Sequence, residues 1–253
     1  MADCNLAQAR SQSLAKLTVR CTACGLRDLC FPCGLSDAQM QRLEQLVSRR
    51  VSVPQGAHLY SRNEPFRALY AVRTGFFKTC TSLENGREHV AGFHMAGELL
   101  GFDGIGSRAH ACDAVALEDS KVCVMSFSQL ESLAREFPQL QRHLHDMLGR
   151  EITGSHDAML LVTSMRSDVR IAAFLLNLAR RLETRGFSGA VLLLRMTREE
   201  IGSHLGLTIE TVSRTFSKFS ELGLLRVDKR EVELLDPQGL DALVRTVSRP
   251  DAG

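Results

Sequence analysis

The sequence predicts an α+β chain that joins a jelly-roll β-barrel to a long helix and a C-terminal winged helix-turn-helix. Three observations support this class: short strand-like segments from about residue 51 to 127, an unusually long helical pattern from about 137 to 162, and two short capped helices followed by a strand pair after residue 197. At 253 residues the chain is long enough to form two domains with their own cores.

The strand-rich region carries the turn residues of an antiparallel β protein. Turns at residues 54–56, 74–75 and 96–97 separate its apolar segments. Asn85-Gly86 predicts a two-residue hairpin, because both central residues of a type I′ turn adopt positive φ. Strands at this regular spacing favour a barrel or jelly roll. Before the strands, a short helix is expected from Ser36 to Ser48, with Ser36 as its N-cap.

The long helical pattern has the spacing of a coiled-coil seam. Apolar positions and one serine recur at intervals of four and three residues: Leu148, Ile152, Ser155, Met159 and Val162. This pattern fits a dimer interface, and a helix packed on its own domain explains it equally well. Ser155 is polar and lies mid-seam, so it would weaken a dimer.

Helix-boundary signals are dense near the C-terminus. Thr197 and Glu200 form a capping-box pattern, Gly206 ends that helix, and Thr208 is the expected N-cap of the next helix. A strand pair follows at 225–227 and 231–234. This order predicts a winged helix-turn-helix, whose second helix enters the major groove of DNA.

The start of that second helix carries side chains suited to base edges. Glu210, Ser213 and Arg214 share one helix face, and Glu and Arg can pair with cytosine and guanine respectively. We assign DNA binding to Thr208, Glu210, Thr211, Ser213 and Arg214, with Arg198 and Lys218 as phosphate contacts. The alternative is a solvent-exposed ion pair between Glu210 and Arg214.

The charge balance confines any DNA-binding surface to one region. The net charge is only +2, but residues 166–218 contain nine basic and five acidic side chains, a local charge of +4. No apolar run reaches the roughly 18 residues of a membrane-spanning helix. The first twenty residues lack the apolar core of a secretory signal. We therefore expect a cytoplasmic protein with no membrane partner.

The cysteines point to metal chemistry. The chain has eight, of which four are closely spaced: Cys21, Cys24, Cys30 and Cys33. In a reducing compartment such clusters more often bind metal than form disulfides. Four thiolates suit an iron–sulfur cluster or a structural zinc ion, and the spacing does not decide between them. Cys30 and Cys33 also have the spacing of a redox C-x-x-C motif.

Three segments together resemble the cyclic-AMP receptor protein (CRP/FNR) superfamily, and within it the oxygen-sensing fumarate-and-nitrate-reduction (FNR) regulators. They are Cys21-x2-Cys24-x5-Cys30, residues 92–103 together with Val122-Cys123, and residues 207–214. The resemblance implies a cyclic-nucleotide-binding-like barrel and a [4Fe–4S] cluster. It implies Cys21, Cys24, Cys30 and Cys123 as cluster ligands, with Cys33 as an alternate to Cys30.

The same resemblance implies a regulator of anaerobic gene expression. The cluster-bearing form would be a homodimer that binds a palindromic site with TTGAT half-sites and contacts RNA polymerase through barrel loops, including the hairpin at Asn85-Gly86. Ser155 stands where some relatives carry an acidic residue, which implies a tighter dimer here.

Two other regulators and an enzyme are the alternatives. One regulator responds to a cyclic nucleotide, with Glu98 and Arg108 as ribose and phosphate ligands; the other is a zinc or thiol redox switch. No catalytic grouping indicates an enzyme. The expected parts of the chain are a cysteine-rich cluster-binding segment (1–35), a barrel sensor domain (36–135), a dimerisation helix (136–164), a winged helix-turn-helix domain (165–242) and a tail (243–253).

Overall fold

The computed structural model of the chain describes residues 21, 24, 26–30, 35–82 and 86–248. Cys33, Asn85 and residues 249–253 of the tail lie outside the described residues. The helices are α1 (Arg27–Cys30), α2 (Asp37–Leu46), α3 (Phe127–Glu136), α4 (Pro138–Ser164), α5 (Ser167–Glu183), α6 (Arg198–Leu205), α7 (Ile209–Glu221) and α8 (Pro237–Ser248). The strands are β1 (Val47–Val53), β2 (His58–Tyr60), β3 (Ala68–Thr74), β4 (Phe76–Ser82), β5 (Glu88–Met95), β6 (Leu99–Leu100), β7 (Asp113–Ala116), β8 (Ser120–Ser126), β9 (Val191–Leu193), β10 (Leu225–Asp228) and β11 (Glu231–Leu234).

The N-terminal half confirms the jelly-roll prediction. The eight strands described in this half form two four-stranded antiparallel sheets, in the orders β1-β8-β3-β6 and β2-β7-β4-β5. Side chains from both sheets share one core, which includes Phe77 and Leu100. The architecture is therefore two packed sheets rather than a single closed barrel.

Strand β8 has a different environment on each of its two faces. It lies between β1 and β3, and successive side chains of a strand point to opposite sides of the sheet. Val122 and Val124 enter the core between the two sheets. Cys123 and Met125 pack on the other side, with residues of α2, α3 and α4. The strand thus presents Cys123 to the helical layer.

Helix α2 begins as predicted and ends earlier. Ser36 forms a full capping box with Gln39, with backbone-to-side-chain bonds of 3.3 and 2.9 Å. The helix ends at Leu46 rather than Ser48, because Val47 pairs with Met125 and begins β1.

The C-terminal region confirms the winged helix-turn-helix. Helices α6 and α7 are followed by β10 and β11, which form a three-stranded sheet with β9 in the order β10-β11-β9. Thr197 accepts the Glu200 amide at 3.1 Å and donates its own amide to the Glu200 carboxylate at 2.7 Å. Gly206 ends α6 with φ of +64°, a backbone conformation that glycine adopts without strain. Thr208 caps α7 by accepting the Thr211 amide.

One apolar core joins the two halves of the molecule. Phe76 and Phe93 of the β4–β5 pair cluster with Phe174 and Leu175 of α5. The rings of Phe93 and Phe174 meet edge to face, with centroids 6.0 Å apart. The outer face of the second sheet is therefore covered by the helix-turn-helix region.

The cap of α6 provides a test of this local structure. Thr197→Ala is expected to lower the free energy of unfolding by about 1 kcal/mol, because one amide of the first turn loses its acceptor. Thr197→Ser keeps the hydroxyl and is the matched control. Urea denaturation of both variants measures the difference, and equal stabilities would show that the capping box contributes nothing.

Candidate cysteine site and DNA-reading surface

Four predicted cysteines come together on the helical side of β8. A turn with a Cys24-to-Cys21 backbone bond of 3.1 Å leads into α1, whose last residue is Cys30. Cys21, Cys30 and Cys123 pack against the same apolar cluster, although about ninety residues separate Cys123 from the others in sequence. The fold thus brings two distant parts of the chain into one thiol site.

The pKa values of these thiols show that their charges act on one another. Burial raises the pKa of Cys30 to about 12, and the negative charges of Cys123, Cys21 and Cys24 add to the increase. Burial also raises the pKa of Cys21 to about 11, again with contributions from Cys123 and Cys24. With pKa values this high the two sulfurs stay protonated at neutral pH, and a bound metal centre would stabilise their thiolates.

Arg50 supplies positive charge at this site. It lies directly opposite Cys123 in the β1–β8 register. Burial raises the pKa of Cys123, whereas the charges of Arg50 and Arg73 and a hydrogen bond from Arg50 oppose that increase. The Arg50 Nε is buried and has no hydrogen-bond partner among the described residues. A buried cationic donor that acts on Cys21 and Cys123 fits an anionic, sulfur-ligated group.

The donor set suits metal chemistry, although the side chains are not assembled around one ion. Among the described residues, no three Cys, His, Asp or Glu side chains are close enough to hold a single metal ion. All four candidates are sulfur donors, as iron–sulfur clusters and structural zinc require. Cys112 lies elsewhere, with its Sγ 3.4 Å from Asp103 in a barrel loop, and Cys80 is buried in β4.

Helix α7 presents its polar face outward. Glu210, Ser213 and Arg214 are exposed, while Val212 and Phe216 are buried on the opposite face. Hydrogen bonds from the Glu210 amide and the Thr208 hydroxyl lower the pKa of the Glu210 carboxyl, and the charge of Arg214 adds to the effect. The three side chains are accessible to a ligand along one side of the helix.

The two predicted phosphate contacts have different environments. Lys218 is about half exposed, with its Nζ 3.5 Å from the Asp168 carboxylate. Arg198 turns inward: its guanidinium carbon lies 3.4 Å from the ring centroid of Phe216, and burial lowers its pKa to about 10. A phosphate contact by Arg198 would therefore require its side chain to leave the ring.

The predicted seam lies on the solvent side of α4. Ile152 and Met159 are 58% and 67% exposed, and Ser155 is also exposed, with its hydroxyl bonded to the Glu151 carbonyl at 2.9 Å. Leu148 and Val162 are half-buried. Two large apolar side chains at coiled-coil spacing are thus mostly exposed to solvent.

Glu98 joins the two halves of the molecule. Its carboxylate accepts hydrogen bonds from Arg181 at 3.0 and 2.6 Å and from Arg185 at 2.7 Å. Burial alone would raise the pKa of Glu98, but the charge and hydrogen bonds of Arg181 hold it below its usual value. We call these three residues the Glu98 clamp.

Sequence reasoning missed this clamp. It treated Glu98 as a ribose ligand of the cyclic-nucleotide alternative, and counted both arginines toward the DNA-binding charge. More than eighty residues separate the carboxylate from its partners. The only local signal was the four-residue spacing between Arg181 in α5 and Arg185 just after its end.

Helix α6 docks on β5 beside the clamp. Lys78 lies 2.5 Å from Glu88 and 2.9 Å from Glu200. The Ser203 hydroxyl accepts the Val90 amide at 3.0 Å and donates to the Glu88 carbonyl at 2.8 Å. Polar contacts therefore surround the apolar core between the halves.

Two protein families match successive parts of the chain. Residues 50–137 match the cyclic nucleotide-binding domain. Residues 169–243 match the Crp-like helix-turn-helix domain. None of the described helices is long and apolar enough to cross a membrane.

Known regulators are similar over most of the chain. The transcriptional regulatory protein btr of Bordetella pertussis is 43% identical over 93% of this chain and 97% of its own length. The transcriptional activator protein anr of Pseudomonas aeruginosa is 40% identical (88% and 91%), and the fumarate and nitrate reduction regulatory protein of Escherichia coli is 37% identical (89% and 90%). The structure of FixK2 from Bradyrhizobium japonicum is similar with a TM-score of 0.73 and 33% identity, over 78% of this chain and 98% of that one. The chain therefore belongs to the CRP/FNR family of DNA-binding transcription regulators.

Proposed function

We propose that this protein is an oxygen-responsive, cytoplasmic regulator of anaerobic gene expression that senses oxygen through a [4Fe–4S] cluster. The observation that carries the proposal is the meeting of Cys21, Cys24 and Cys30 with Cys123 on β8. Similarity to regulators named for activation and for fumarate and nitrate reduction supports it. Cys33 is the alternate ligand to Cys30.

The bound cluster would supply a redox-sensitive link between the N-terminal segment and the sheet. The chain's own residues determine what that link holds. Cys21 and Cys30 pack in the apolar cluster that also contains Leu140, Leu144 and Leu148 of α4. The apolar cluster on which the cysteine segment packs therefore extends to the part of α4 that leads into the exposed seam. Release of the segment would change the packing of that helix.

The exposed seam provides the dimer contact in this proposal. Leu148, Ile152, Ser155, Met159 and Val162 would face the same residues of a second chain. Such a dimer presents two α7 helices to two half-sites of a palindrome, about one helical turn apart. Thr208, Glu210, Thr211, Ser213 and Arg214 would read bases, Lys218 and Arg198 would contact phosphates, and exposed barrel loops would contact RNA polymerase.

A cyclic-nucleotide response is the second candidate, because residues 50–137 match the cyclic nucleotide-binding domain. The ribose ligand that it requires, Glu98, is held by Arg181 and Arg185. Arg108, its phosphate ligand, is exposed. Cyclic AMP is therefore expected to leave DNA affinity unchanged in a fluorescence-anisotropy titration. A gain in affinity would favour the nucleotide-responsive regulator instead.

Metal analysis tests the cluster proposal. Anaerobically purified protein is expected to be brown and to hold about four irons per chain, with absorption that is lost in air. Cys21→Ser, Cys24→Ser, Cys123→Ser and the double variant Cys30→Ser/Cys33→Ser should each lose most of the iron, because Cys33 is the alternate to Cys30. Cys112→Ser is the matched control, because its thiol belongs to another site, and Cys33→Ser should also retain iron. A colourless protein with one zinc per chain would support the redox-switch alternative.

Base reading is tested by comparing two cationic side chains. Arg214→Ala is expected to weaken binding by about 1–3 kcal/mol and to relax specificity at one guanine of each half-site. Lys218→Ala should weaken binding to all sequences alike and reduce the slope of log affinity against log salt by about 1. Titrations against single-base variants of the site distinguish the two. Uniform losses for both variants would contradict the assignment of Arg214.

The seam is tested by adding charge at its centre. Ser155→Asp is expected to weaken dimerisation of the iron-loaded protein about tenfold, because two carboxylates would face each other across the interface. Thr153→Asp adds the same charge to the same helix away from the seam and should have little effect. Sedimentation under anaerobic conditions measures the dimer constant. Equal dimerisation of both variants would remove Ser155 from the interface.

A further inference from the structure

We propose that Glu98 is the positioning residue of the DNA-binding domain, and that the cysteine segment acts on it through Leu29. Glu98 would then connect the sensing site to the reading helix within one chain. The effects of iron and of DNA in this proposal rest on the proposed function. The Glu98 clamp between the two domains does not, because it forms in the chain without a metal.

The clamp is a fixed contact rather than a surface ion pair. Besides binding Glu98, Arg181 donates to the Phe93 carbonyl at 2.6 Å and Arg185 donates to the Ala96 carbonyl at 2.5 Å. The Arg185 side chain is only 7% exposed. The C-terminal end of α5 is thus tied to both sides of the β5–β6 turn, and water competes weakly for these bonds.

The same turn also contacts α1 of the cysteine segment, through Gly97 and Leu29. Gly97 has φ of +87°, and a Cβ at this position would lie 2.9 Å from the Cβ of Leu29. Only glycine permits so close an approach. Leu29 precedes Cys30 in α1, so a shift of the proposed ligands moves Leu29 against Gly97. The adjacent Glu98 then transmits that shift to Arg181 and Arg185.

The orientation of α5 matters for reading DNA. Helix α5 packs in the same core as α6 and α7, through Ile171 and Leu175 with Ile201 and Val212. A dimer binds a palindrome only when both reading helices match the half-site spacing. A clamp that holds each DNA-binding domain in place reduces the entropy that the domains lose when both bind DNA. The clamp should therefore strengthen binding to palindromic DNA more than binding to a single half-site.

The first test uses Glu98→Gln, which keeps the shape and removes the charge. In metal-free protein, hydrogen exchange of residues 181–187 is expected to accelerate about tenfold. Glu118→Gln is the matched control: Glu118 also pairs with the C-terminal region, to Arg195 at 3.2 Å, but its side chain is more exposed, at 38% against 23% for Glu98. Arg185→Gln should accelerate exchange less in the Glu98→Gln variant than in wild type, because the two residues form one contact. Equal exchange in wild type and Glu98→Gln would overturn the clamp.

The second test asks whether Leu29 controls the clamp. Leu29→Ala in the metal-free protein is expected to accelerate exchange at residues 95–98 and 181–187 together. Iron loading of the wild-type protein should slow exchange at both segments. Iron loading of the Glu98→Gln variant should slow exchange at residues 95–98 only. Acceleration by Glu98→Gln without any effect of Leu29→Ala would overturn the link to the cysteine segment.

The third test separates positioning from structural damage. Glu98→Gln is expected to bind palindromic DNA about tenfold more weakly and single half-site DNA within about twofold of wild type. Equal losses on both DNAs would indicate a damaged domain and contradict a positioning role. If wild-type protein binds no cluster, the proposed function fails, while the metal-free exchange comparison still decides the clamp.

Discussion

The alternation of side chains along β8 is the constraint on which the sensing half depends. Val122 and Val124 must fill the space between the two sheets, so Cys123 between them points to the helical layer. A shift of one residue would turn the thiol into the core between the sheets and the two valines toward the helical layer. The packing requirement of two apolar residues therefore fixes where the fourth thiol lies. The N-terminal cysteines meet it there.

The arrangement of the two halves depends on the apolar core that they share. Without α5, Phe76 and Phe93 on the outer face of the second sheet would be exposed to solvent. Apolar burial holds the halves together without direction, whereas the Glu98 clamp and the Ser203 bonds give the contact a defined geometry. A regulator needs both kinds of contact, because its DNA-binding domain must be attached to the sensor domain and also oriented relative to it.

Local signals predicted the local features. The capping box at Thr197, the turn at Gly206 and the N-cap at Thr208 depend on residues within three or four positions, and each is present. The helix at Ser36 was predicted to be two residues too long, because a strand pairing with Met125 overrides the helical tendency at Val47. Arg198 was placed correctly on α6, but its stacking on Phe216 depends on how the two helices cross.

The sequence by itself determined the order of the domains, the family resemblance, the cysteine motif and the polar face of α7. Each of these depends on residue types a few positions apart, which is the range over which helix and strand periodicity and helix capping act. The family resemblance had already implied that Cys123 joins the N-terminal thiols. Only the tertiary structure decided that Leu29 touches Gly97, and that Glu98 binds Arg181 of α5 and Arg185 just beyond its end. Those contacts join residues that are far apart along the chain, and their energies depend on burial and distance that arise only when the sheets and helices pack.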